Sequence, residues 1–384
     1  MHSESNALHS QTDYLFVKAA TIAATLRPVR RIRGQAMHAL RPTIRRILRL
    51  VRRTGLAPFE PRWRRHSTFP RQIGLSLSVL CPSRCVYCPE RALHVRPKTV
   101  PLALLEKILD EARERRFDGL FSIAENGEAL THPAFFEILE AIRNVFPRNP
   151  IVLFSNMVLT DDEAAQRIIE QDIDFMHFNL DGATEETYDY IKRNGRFDLV
   201  VRNARGFLMR RNQANARCRV GIGYVSARDF TRDIEGRADA FPDDSRAIEA
   251  LVAPLLRAGD TITPEEYQLH KYGKLLGRRK TEPCDAFHAL LDNLLVAPDG
   301  NAYLCCADFG VTSSLGNLHR QSIHDIWRSP LRHDILRHIY RQDYDKAPQV
   351  CQTCLPLMGL NRDLYLAARD EIRDLHRALQ CPNE

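Results

Sequence analysis

Residues 73–88 read Ile-Gly-Leu-Ser-Leu-Ser-Val-Leu-Cys-Pro-Ser-Arg-Cys-Val-Tyr-Cys. An apolar, strand-like run leads directly into a short loop with three thiols, Cys81, Cys85 and Cys88. Three thiolates can hold three irons of a cubane 4Fe–4S cluster and leave the fourth iron open, whereas a structural zinc site takes four closed ligands. The spacing therefore favours an iron–sulfur cluster over two simpler interpretations, which are half of a zinc site and buried, inert cysteines.

Helix-like and strand-like segments alternate after this loop. Apolar residues recur at helical spacing in some segments and form short continuous runs in others. The pattern predicts helices at 101–116, 135–145, 161–171, 185–192 and 199–211, and strands at 120–124, 151–155, 175–180 and 217–225. Strands separated by helices of this length imply a parallel sheet with right-handed crossover connections.

Polar residues follow the predicted strands at their carboxyl ends, where ligands bind on such sheets. They are Asn126, Gly127 and Glu128 after the second strand, Ser155 and Asn156 after the third, and Asn179 and Asp181 at the fourth. The simpler interpretation of Glu128 and Asp181 is a helix cap or a turn residue. Their position behind the cysteine loop favours a ligand site instead.

The cysteine triplet, with Tyr87 before its last member, resembles the signature of the radical S-adenosylmethionine (radical SAM) enzymes. The polar stretches resemble three further landmarks of that family, its Gly-Gly-Glu, Thr-Asn-Gly and Ser-x-Asp-Gly motifs. Asn126, Ser155, Met157 and Asn179 stand where other residues are usual. The resemblance implies an α/β fold with a partial (β/α)6 TIM-like barrel. It also implies a cluster whose open iron chelates S-adenosylmethionine, and reductive cleavage of that cofactor to a 5′-deoxyadenosyl radical.

The resemblance also implies cofactor contacts for individual residues. Glu128 and its loop would bind the methionine amino group, Asp181 would lie near the ribose and carboxylate, and Tyr87 would lie against adenine. Lys192 or Arg193 would supply a cation for the cofactor carboxylate, although a solvated helix face explains both residues equally well. The implied set is Tyr87, Asn126, Gly127, Glu128, Ser155, Asn156, Asn179, Asp181 and Lys192.

A second group of cysteines lies towards the C-terminal end. Two apolar runs joined by Asp299-Gly300 predict a β-hairpin whose second strand leads to Cys305. This stretch resembles the SPASM or twitch extension of radical SAM enzymes. The resemblance implies one auxiliary 4Fe–4S cluster held by four cysteines: Cys284, Cys305, Cys351 and Cys354.

Three questions about the cysteines stay open at this point. Side chains alternate across a strand, so Cys305 and its neighbour Cys306 do not readily face one cluster, and we favour Cys305. Four thiolates are also a normal structural zinc set. Cys306 or Cys218 could instead donate a hydrogen atom to a substrate radical, as in radical epimerases.

The charge of +7 is unevenly distributed. Residues 1–71 carry fourteen arginines and Lys18 against Glu4, Asp13 and Glu60, a local charge of +12. Apolar residues at 44, 47, 48 and 51 recur at helical spacing among these arginines and predict a basic amphipathic helix. Such a helix could dock on the acidic remainder of the chain, lie on an anionic membrane surface, or bind nucleic acid, the last being the least favoured.

Composition limits the location of the protein. The ten cysteines are clustered, and neither a secretory leader nor an apolar run of about 18 residues is evident. We therefore expect a cytoplasmic protein in a reducing compartment.

These observations predict four segments. They are a basic, helical N-terminal extension at 1–71, a radical SAM core barrel at 72–260, a small α+β SPASM/twitch-like domain at 261–360 and a C-terminal helix at 361–384.

The predicted activity is that of a radical SAM oxidoreductase. It would abstract a hydrogen atom from a carbohydrate-like or aminocyclitol-like small molecule or from a peptide, and the auxiliary cluster would accept the remaining electron. Flavodoxin or ferredoxin is the electron donor that the resemblance implies. The alternatives are an epimerase with a cysteine hydrogen donor and a non-enzymatic zinc protein whose basic arm binds nucleic acid.

Overall fold

The computed structural model describes residues 68–88, 98–123, 126–193, 195–231, 237, 240–264, 284, 287–308, 311 and 313–354. The predicted basic arm up to residue 67, with its amphipathic helix, lies outside the described residues. The predicted helix at 361–384 lies outside them as well.

One mixed sheet organises the described residues, with strand order β6-β5-β4-β3-β2-β1-β7-β8-β9. Strands β1 to β6 are parallel and adjacent in chain order. Within the described residues, β6 and β9 form the two edges, so the sheet is an open, partial barrel as predicted. The strands are β1 (Gln72–Leu75), β2 (Leu120–Ile123), β3 (Ile151–Ser155), β4 (Phe175–Asn179), β5 (Arg219–Tyr224), β6 (Thr261–Pro264), β7 (Asn293–Val296), β8 (Asn301–Tyr303) and β9 (Gly316–Asn317).

Helices connect successive strands of the barrel. The described helices are α1 (Leu102–Glu114), α2 (Phe135–Val145), α3 (Asp162–Glu170), α4 (Glu185–Lys192), α5 (Phe197–Gln213), α6 (Ala227–Phe230), α7 (Ser245–Val252), α8 (Phe287–Asp292), α9 (Ile323–Trp327), α10 (Pro330–Arg341) and α11 (Gln349–Thr353). The longer helices between the strands bury the face on which their apolar residues recur at helical spacing. Helix α1, for example, buries Leu105, Ile108 and Ala112.

Local chemistry fixes where helix α4 begins and ends. The side chain of Thr184 accepts a hydrogen bond from the backbone N–H of Thr187, and the side chain of Thr187 accepts one from the backbone N–H of Thr184, which forms a capping box. Arg193 ends the helix in the left-handed conformation, with φ at 52°. The end of α4 is therefore well defined, and it lies beside the cysteine loop described below.

The alternation along β3 and β4 separates two faces of the sheet. Met176 and Phe178 of β4 belong to the buried core between sheet and helices. His177 and Asn179 alternate with them and are only half-buried, so they lie on the opposite face. The helix-facing side supplies stability, and the other side and the carboxyl ends of the strands are left for polar residues.

The C-terminal region extends the barrel sheet. Strand β7 pairs in parallel with β1, with Leu75 opposite Val296. The predicted hairpin is confirmed: β7 and β8 are antiparallel, and Gly300 has a positive φ of 81° in the turn between them. One buried apolar cluster includes both Ile73 of β1 and Leu294 of β7. The α+β region and the barrel thus share a core.

No helix among the described residues is both long enough and apolar enough to span a lipid bilayer.

Candidate functional site

The cysteine loop lies at the carboxyl end of β1 and is bonded to the end of helix α4. Arg84 donates its backbone N–H to the carbonyl of Lys192 (2.9 Å), and Val86 donates to the carbonyl of Ile191 (2.8 Å). Cys81, Cys85 and Cys88 are all half-buried. The loop is therefore held against a neighbouring helix, with its thiols neither fully buried nor fully exposed.

Asn156, directly after β3, connects this loop to the next polar stretch. Its Nδ2 donates to the Sγ of Cys81 (3.3 Å), and its backbone N–H donates to Oε2 of Glu128 (2.7 Å). Its Oδ1 accepts from the backbone of Val158, which fixes the side chain. The structure thus places Asn156 between a predicted iron ligand and a predicted cofactor contact.

Glu128 is a buried carboxylate, with only 1% of its surface exposed. Burial raises its pKa to about 7, and hydrogen bonds from the backbone of Asn156 and Leu130 and from the hydroxyl of Ser155 oppose that rise. The Ser155 hydroxyl donates to Oε2 over 3.3 Å. A carboxylate has about four acceptor positions, so at least one remains for an N–H group of a ligand.

The turn before Glu128 requires a glycine. Gly127 has a φ of 67°, and a Cβ added there would lie 2.2 Å from the carbonyl oxygen of Ser78. The backbone N–H of Glu128 bonds to the carbonyl of Leu80 over 2.8 Å. This close approach brings Glu128 against the chain that leads into the cysteine loop.

Asn126, two residues before Glu128, has a buried side-chain amide. Its Nδ2 donates to the hydroxyl of Tyr303 (3.2 Å), which also bonds with Ser76 Oγ (3.1 Å). Within the described part of the chain, Asn126 Oδ1 has no hydrogen-bond partner although it is buried. Sequence reasoning missed Tyr303, whose only signal is its place two residues before Cys305.

Asp181, Lys192 and Tyr87 form a buried network. The ammonium of Lys192 lies 2.7 Å from Oδ2 of Asp181, and the Tyr87 hydroxyl donates to the same oxygen over 2.8 Å. The Lys192 and Asp181 side chains are 2% and 0% exposed. Lys192 is thus an ion-pair partner inside the protein and not a residue on a solvated helix face. Asn179 ends β4 in the same part of the sheet and is half-buried.

Charges act on the middle cysteine of the loop. Burial raises the pKa of the Cys85 thiol, the charge of Lys192 opposes that rise, and the charge of Asp181 adds to it. The loop cysteines, Asn156 and the Lys192–Asp181 pair therefore lie in one region of the molecule.

The second group of cysteines lies in the C-terminal region. Cys284, Cys305, Cys351 and Cys354 are half-buried, whereas Cys306 is exposed. A hydrogen bond with Cys306 and burial raise the pKa of the Cys305 thiol, and the charge of Cys354 also acts on it. Cys305 and Cys354 are therefore neighbours in space, although 48 residues separate them in sequence.

Cys218 belongs to neither group. It is buried beside β5, burial raises its pKa to about 12, and its thiol donates to the carbonyl of Arg219 (3.4 Å). This environment keeps the thiol protonated and disfavours its reaction as a thiolate nucleophile.

The donor sets can be compared with the groups they are predicted to hold. Three half-buried thiols in one loop, next to a buried carboxylate and a buried unpartnered amide oxygen, fit a three-cysteine cluster and a cofactor with an amino group. Among the described residues, no three His, Cys, Asp or Glu side chains converge closely enough to hold a single metal ion. Separate cysteines that each bind one iron of a cubane do not need to converge on one point.

The sequence matches two family descriptions. Residues 75–211 match the Radical SAM superfamily, and residues 284–355 match SPASM, an iron–sulfur cluster-binding domain. The biotin synthase of Citrifermentans bemidjiense is 29% identical over 119 residues, which are 29% of this chain and 36% of that protein. The chain thus aligns with about a third of the length of this curated relative.

Three solved structures are similar in fold. BtrN in complex with AdoMet and 2-DOIA has a TM-score of 0.46 at 14% identity, over 76% of this chain and 95% of BtrN. Native anSMEcpe with bound AdoMet and Cp18Cys peptide has a TM-score of 0.48 at 16% identity, over 80% and 99% of the two chains. SuiB of Streptococcus suis has a TM-score of 0.47 at 15% identity, over 70% and 68%.

The two matched families and the cysteine-bearing barrel agree. The chain belongs to the radical SAM superfamily and is an enzyme of that type with a C-terminal SPASM domain, and its cofactors are a 4Fe–4S cluster, S-adenosylmethionine and an auxiliary iron–sulfur cluster.

Proposed function

We propose that the protein is a radical SAM oxidoreductase in which Cys81, Cys85 and Cys88 hold the cluster that binds S-adenosylmethionine. When bound, the reduced cluster would give one electron to the sulfonium of the cofactor, and carbon–sulfur cleavage would then provide a 5′-deoxyadenosyl radical for hydrogen-atom abstraction from the substrate. The protein's own contribution is to hold the loop, orient the cofactor and keep water away from the radical.

The Glu128 carboxylate carries this proposal. It is buried and keeps an acceptor position free. It also accepts the backbone N–H of Asn156, whose side chain donates to Cys81. The N–H groups of the methionine amino nitrogen would satisfy this carboxylate. Asn126 Oδ1, two positions earlier in the chain, is a second buried acceptor that has no partner among the described residues.

The remaining contacts are assigned by the same reasoning. Gly127 brings the backbone close, Ser155 and Asn156 orient Glu128, and Tyr87 flanks the cysteine loop. Asn179 and Asp181 would lie on the ribose side. Lys192 has one N–H beyond its bonds to Asp181 and Tyr87, so a contact with the cofactor carboxylate stays a prediction.

We assign the auxiliary cluster to Cys284, Cys305, Cys351 and Cys354. Cys305 rather than Cys306 is supported by its burial and by its proximity to Cys354. An alcohol substrate would lose a hydrogen atom to the radical, a proton to a base and an electron to the auxiliary cluster, which balances as oxidation to a ketone. Carbohydrate-like or aminocyclitol-like molecules and peptides are the candidate substrates, and a flavodoxin or ferredoxin would supply the electron.

Iron content and cofactor cleavage test this proposal together. The chain is purified without oxygen and reconstituted with iron and sulfide, and iron per chain and 5′-deoxyadenosine formed after addition of dithionite and S-adenosylmethionine are measured. Two cubanes predict about eight irons per chain and release of 5′-deoxyadenosine.

A matched pair of variants separates the two cysteine groups. Cys81→Ser should lower the rate of 5′-deoxyadenosine formation by more than about a hundredfold, which is the loss that removal of a residue behind a metal ligand causes. Cys354→Ser should lower the iron content by about half and leave cofactor cleavage in place. Bound zinc with no 5′-deoxyadenosine from the wild-type protein would rule the proposal out.

A further inference from the structure

A buried ion pair lies against the middle cysteine of the loop. Lys192 is the last residue of α4, and Asp181 follows β4; their side chains meet at 2.7 Å and are almost completely inaccessible to solvent. The Tyr87 hydroxyl donates to Asp181 and accepts from Lys192 over 3.2 Å. The second oxygen of Asp181 accepts the backbone N–H of Val225 over 2.7 Å.

The backbone places Cys85 directly against this pair. Its two chain neighbours, Arg84 and Val86, donate to the carbonyls of Lys192 and Ile191. Cys85 is therefore held against the turn of α4 that carries the Lys192 side chain.

The positive member of the pair lies on the element that the cysteine loop contacts. Lys192 ends the helix whose last carbonyls bind the backbone on both sides of Cys85, and its ammonium lies 5.7 Å from the centre of the Tyr87 ring in the loop. Asp181 lies on a different element, and its second oxygen is taken by the backbone N–H of Val225. The loop therefore faces the positive end of the pair, in a region where burial weakens solvent screening.

Stability alone does not explain why these charges are buried. Removing two charges from water is costly for each ion, and a buried pair is often no more stable than apolar residues of the same volume. The Arg211–Asp260 pair gives a comparison within the same barrel, at 2.8 Å and with 0% and 1% exposure. Asp260 also accepts the backbone N–H of Val220 at the start of β5, so that pair lies at the opposite end of the strands from the cysteine loop.

We propose that Lys192 and Asp181 are positioning residues that set the reduction potential of the cluster bound through Cys85. The inference rests on the proposed function, in which Cys85 is an iron ligand. Reduction of the cluster adds one negative charge, so a nearby positive potential stabilises the reduced form, and net charge is a recognised determinant of cluster potentials. The positive end of the pair should therefore make the cluster easier to reduce.

The two partners should shift the potential in opposite directions. Asp181→Asn leaves the Lys192 charge unopposed and should raise the potential, whereas Lys192→Met should lower it. We expect the ratio of reduced to oxidised cluster at a fixed potential to change at least tenfold in each case, which is 59 mV for a one-electron couple. The reduction potential of the double variant, Lys192→Met with Asp181→Asn, should lie below that of the wild type and at or above that of Lys192→Met.

The measurement is a redox titration of the reconstituted full-length protein, monitored by electron paramagnetic resonance. The signal to follow is the one that changes when S-adenosylmethionine is added, because only a cluster with an open iron binds the cofactor. Asp260→Asn and Arg211→Met are the matched controls, since they remove the same charges from an equally buried pair. Their potentials should equal that of the wild type.

The outcomes separate the inference from the proposed function. Shifts in the same direction, or shifts of less than twofold in the redox ratio, would overturn the inference and leave the cluster assignment intact. Weaker binding of S-adenosylmethionine to Lys192→Met at unchanged potential would also overturn it, in favour of Lys192 as the carboxylate partner. A wild-type protein whose signals do not respond to S-adenosylmethionine would overturn both. If Lys192→Met does not fold, Asp181→Asn and the double variant still test the inference. The reduction potential should rise in Asp181→Asn and fall in the double variant, each relative to the wild type.

Discussion

The two cysteine groups are held in different ways. Cys81, Cys85 and Cys88 lie within one eight-residue loop, and hydrogen bonds from Asn156 and to the end of α4 fix that loop. The C-terminal cysteines come from separate places in the chain, where Cys305 follows β8 and Cys351 lies on α11. Cys284, Cys305 and Cys351 pack against the shared apolar core. The first site therefore depends on local chain geometry, and the second depends on packing of the C-terminal region against the barrel.

This difference predicts which substitutions affect one site alone. A change in the strand-end turns should impair the binding of S-adenosylmethionine and leave the C-terminal cluster in place. A change at the contact between β8 and the barrel should alter the influence of the C-terminal region on the binding of S-adenosylmethionine at the first site.

Gly127→Ala should have the largest effect on the first site. The substitution adds a Cβ within 2.2 Å of a backbone oxygen at a φ of 67°, and we expect about 3 kcal/mol or more of destabilisation concentrated in the Glu128 turn. Affinity for S-adenosylmethionine, measured by calorimetric titration, should fall by more than about a hundredfold. The C-terminal cluster should still assemble, as measured by iron content.

Gly195→Ala is the matched control for this variant. Gly195 also has a positive φ, 58°, but its added Cβ would meet only the Asp189 carboxylate at 4.0 Å. It should cost about 1 kcal/mol and leave cofactor affinity unchanged. Equal losses of affinity in the two glycine variants would contradict a specific role for the Gly127 turn.

Glu128 should give the first site a dependence on pH. Its pKa is raised from 4.5 to about 7 in the folded protein, so the folded state binds the proton more tightly than the unfolded state does. Below about pH 4.5 Glu128 is protonated in both states and its ionisation does not affect the free energy of unfolding. As the pH rises through 7, the buried group ionises and the free energy of unfolding falls by up to about 3 kcal/mol. Denaturant unfolding of the cluster-free chain from pH 4.5 to 8 should show this loss in the wild type and not in Glu128→Gln.

Affinity for S-adenosylmethionine should change in the opposite sense. The ionised carboxylate accepts the N–H groups of the cofactor's amino nitrogen more strongly than the neutral acid does, so the affinity of the wild type should rise as the pH passes 7. Glu128→Gln should bind weakly at every pH. If the affinity of the wild type does not change with pH, Glu128 does not contact the cofactor.

The sequence was sufficient for features whose determinants lie close together in the chain. The cysteine loop, the strand-end residues such as Glu128 and the hairpin at Asp299-Gly300 all follow from local patterns. The pairing of β7 with β1 was not predictable, because their apolar runs do not encode which strand lies beside which. The ion pair of Lys192 with Asp181 was not predicted either, because a lysine on a helix with charged neighbours is typical of a surface position.

Tyr303→Phe tests the contact between the two regions. The Tyr303 hydroxyl, on β8, bonds with Ser76 after β1 and with Asn126 before Glu128, and all three residues are buried. Its removal leaves two buried polar groups without that partner, which should cost about 1–3 kcal/mol. Because Asn126 would lose its orientation, affinity for S-adenosylmethionine should fall by about tenfold, which corresponds to about 1.4 kcal/mol. Iron content should stay at the wild-type value.

Tyr224→Phe is the matched control for Tyr303→Phe. The Tyr224 side chain is also buried, but its hydroxyl bonds to the half-buried Glu249 over 3.4 Å and to the half-buried Ser245, and water can replace it at both. Its loss should therefore cost less than about 0.5 kcal/mol and leave cofactor affinity unchanged. If Tyr303→Phe lowers the unfolding free energy without weakening the cofactor, the hydroxyl serves the shared core alone, and the two cysteine regions are independent. If it weakens the cofactor at unchanged iron content, the region that carries the auxiliary cysteines also orients the loop that binds S-adenosylmethionine, because Asn126 is the residue through which the β8 hydroxyl reaches that loop.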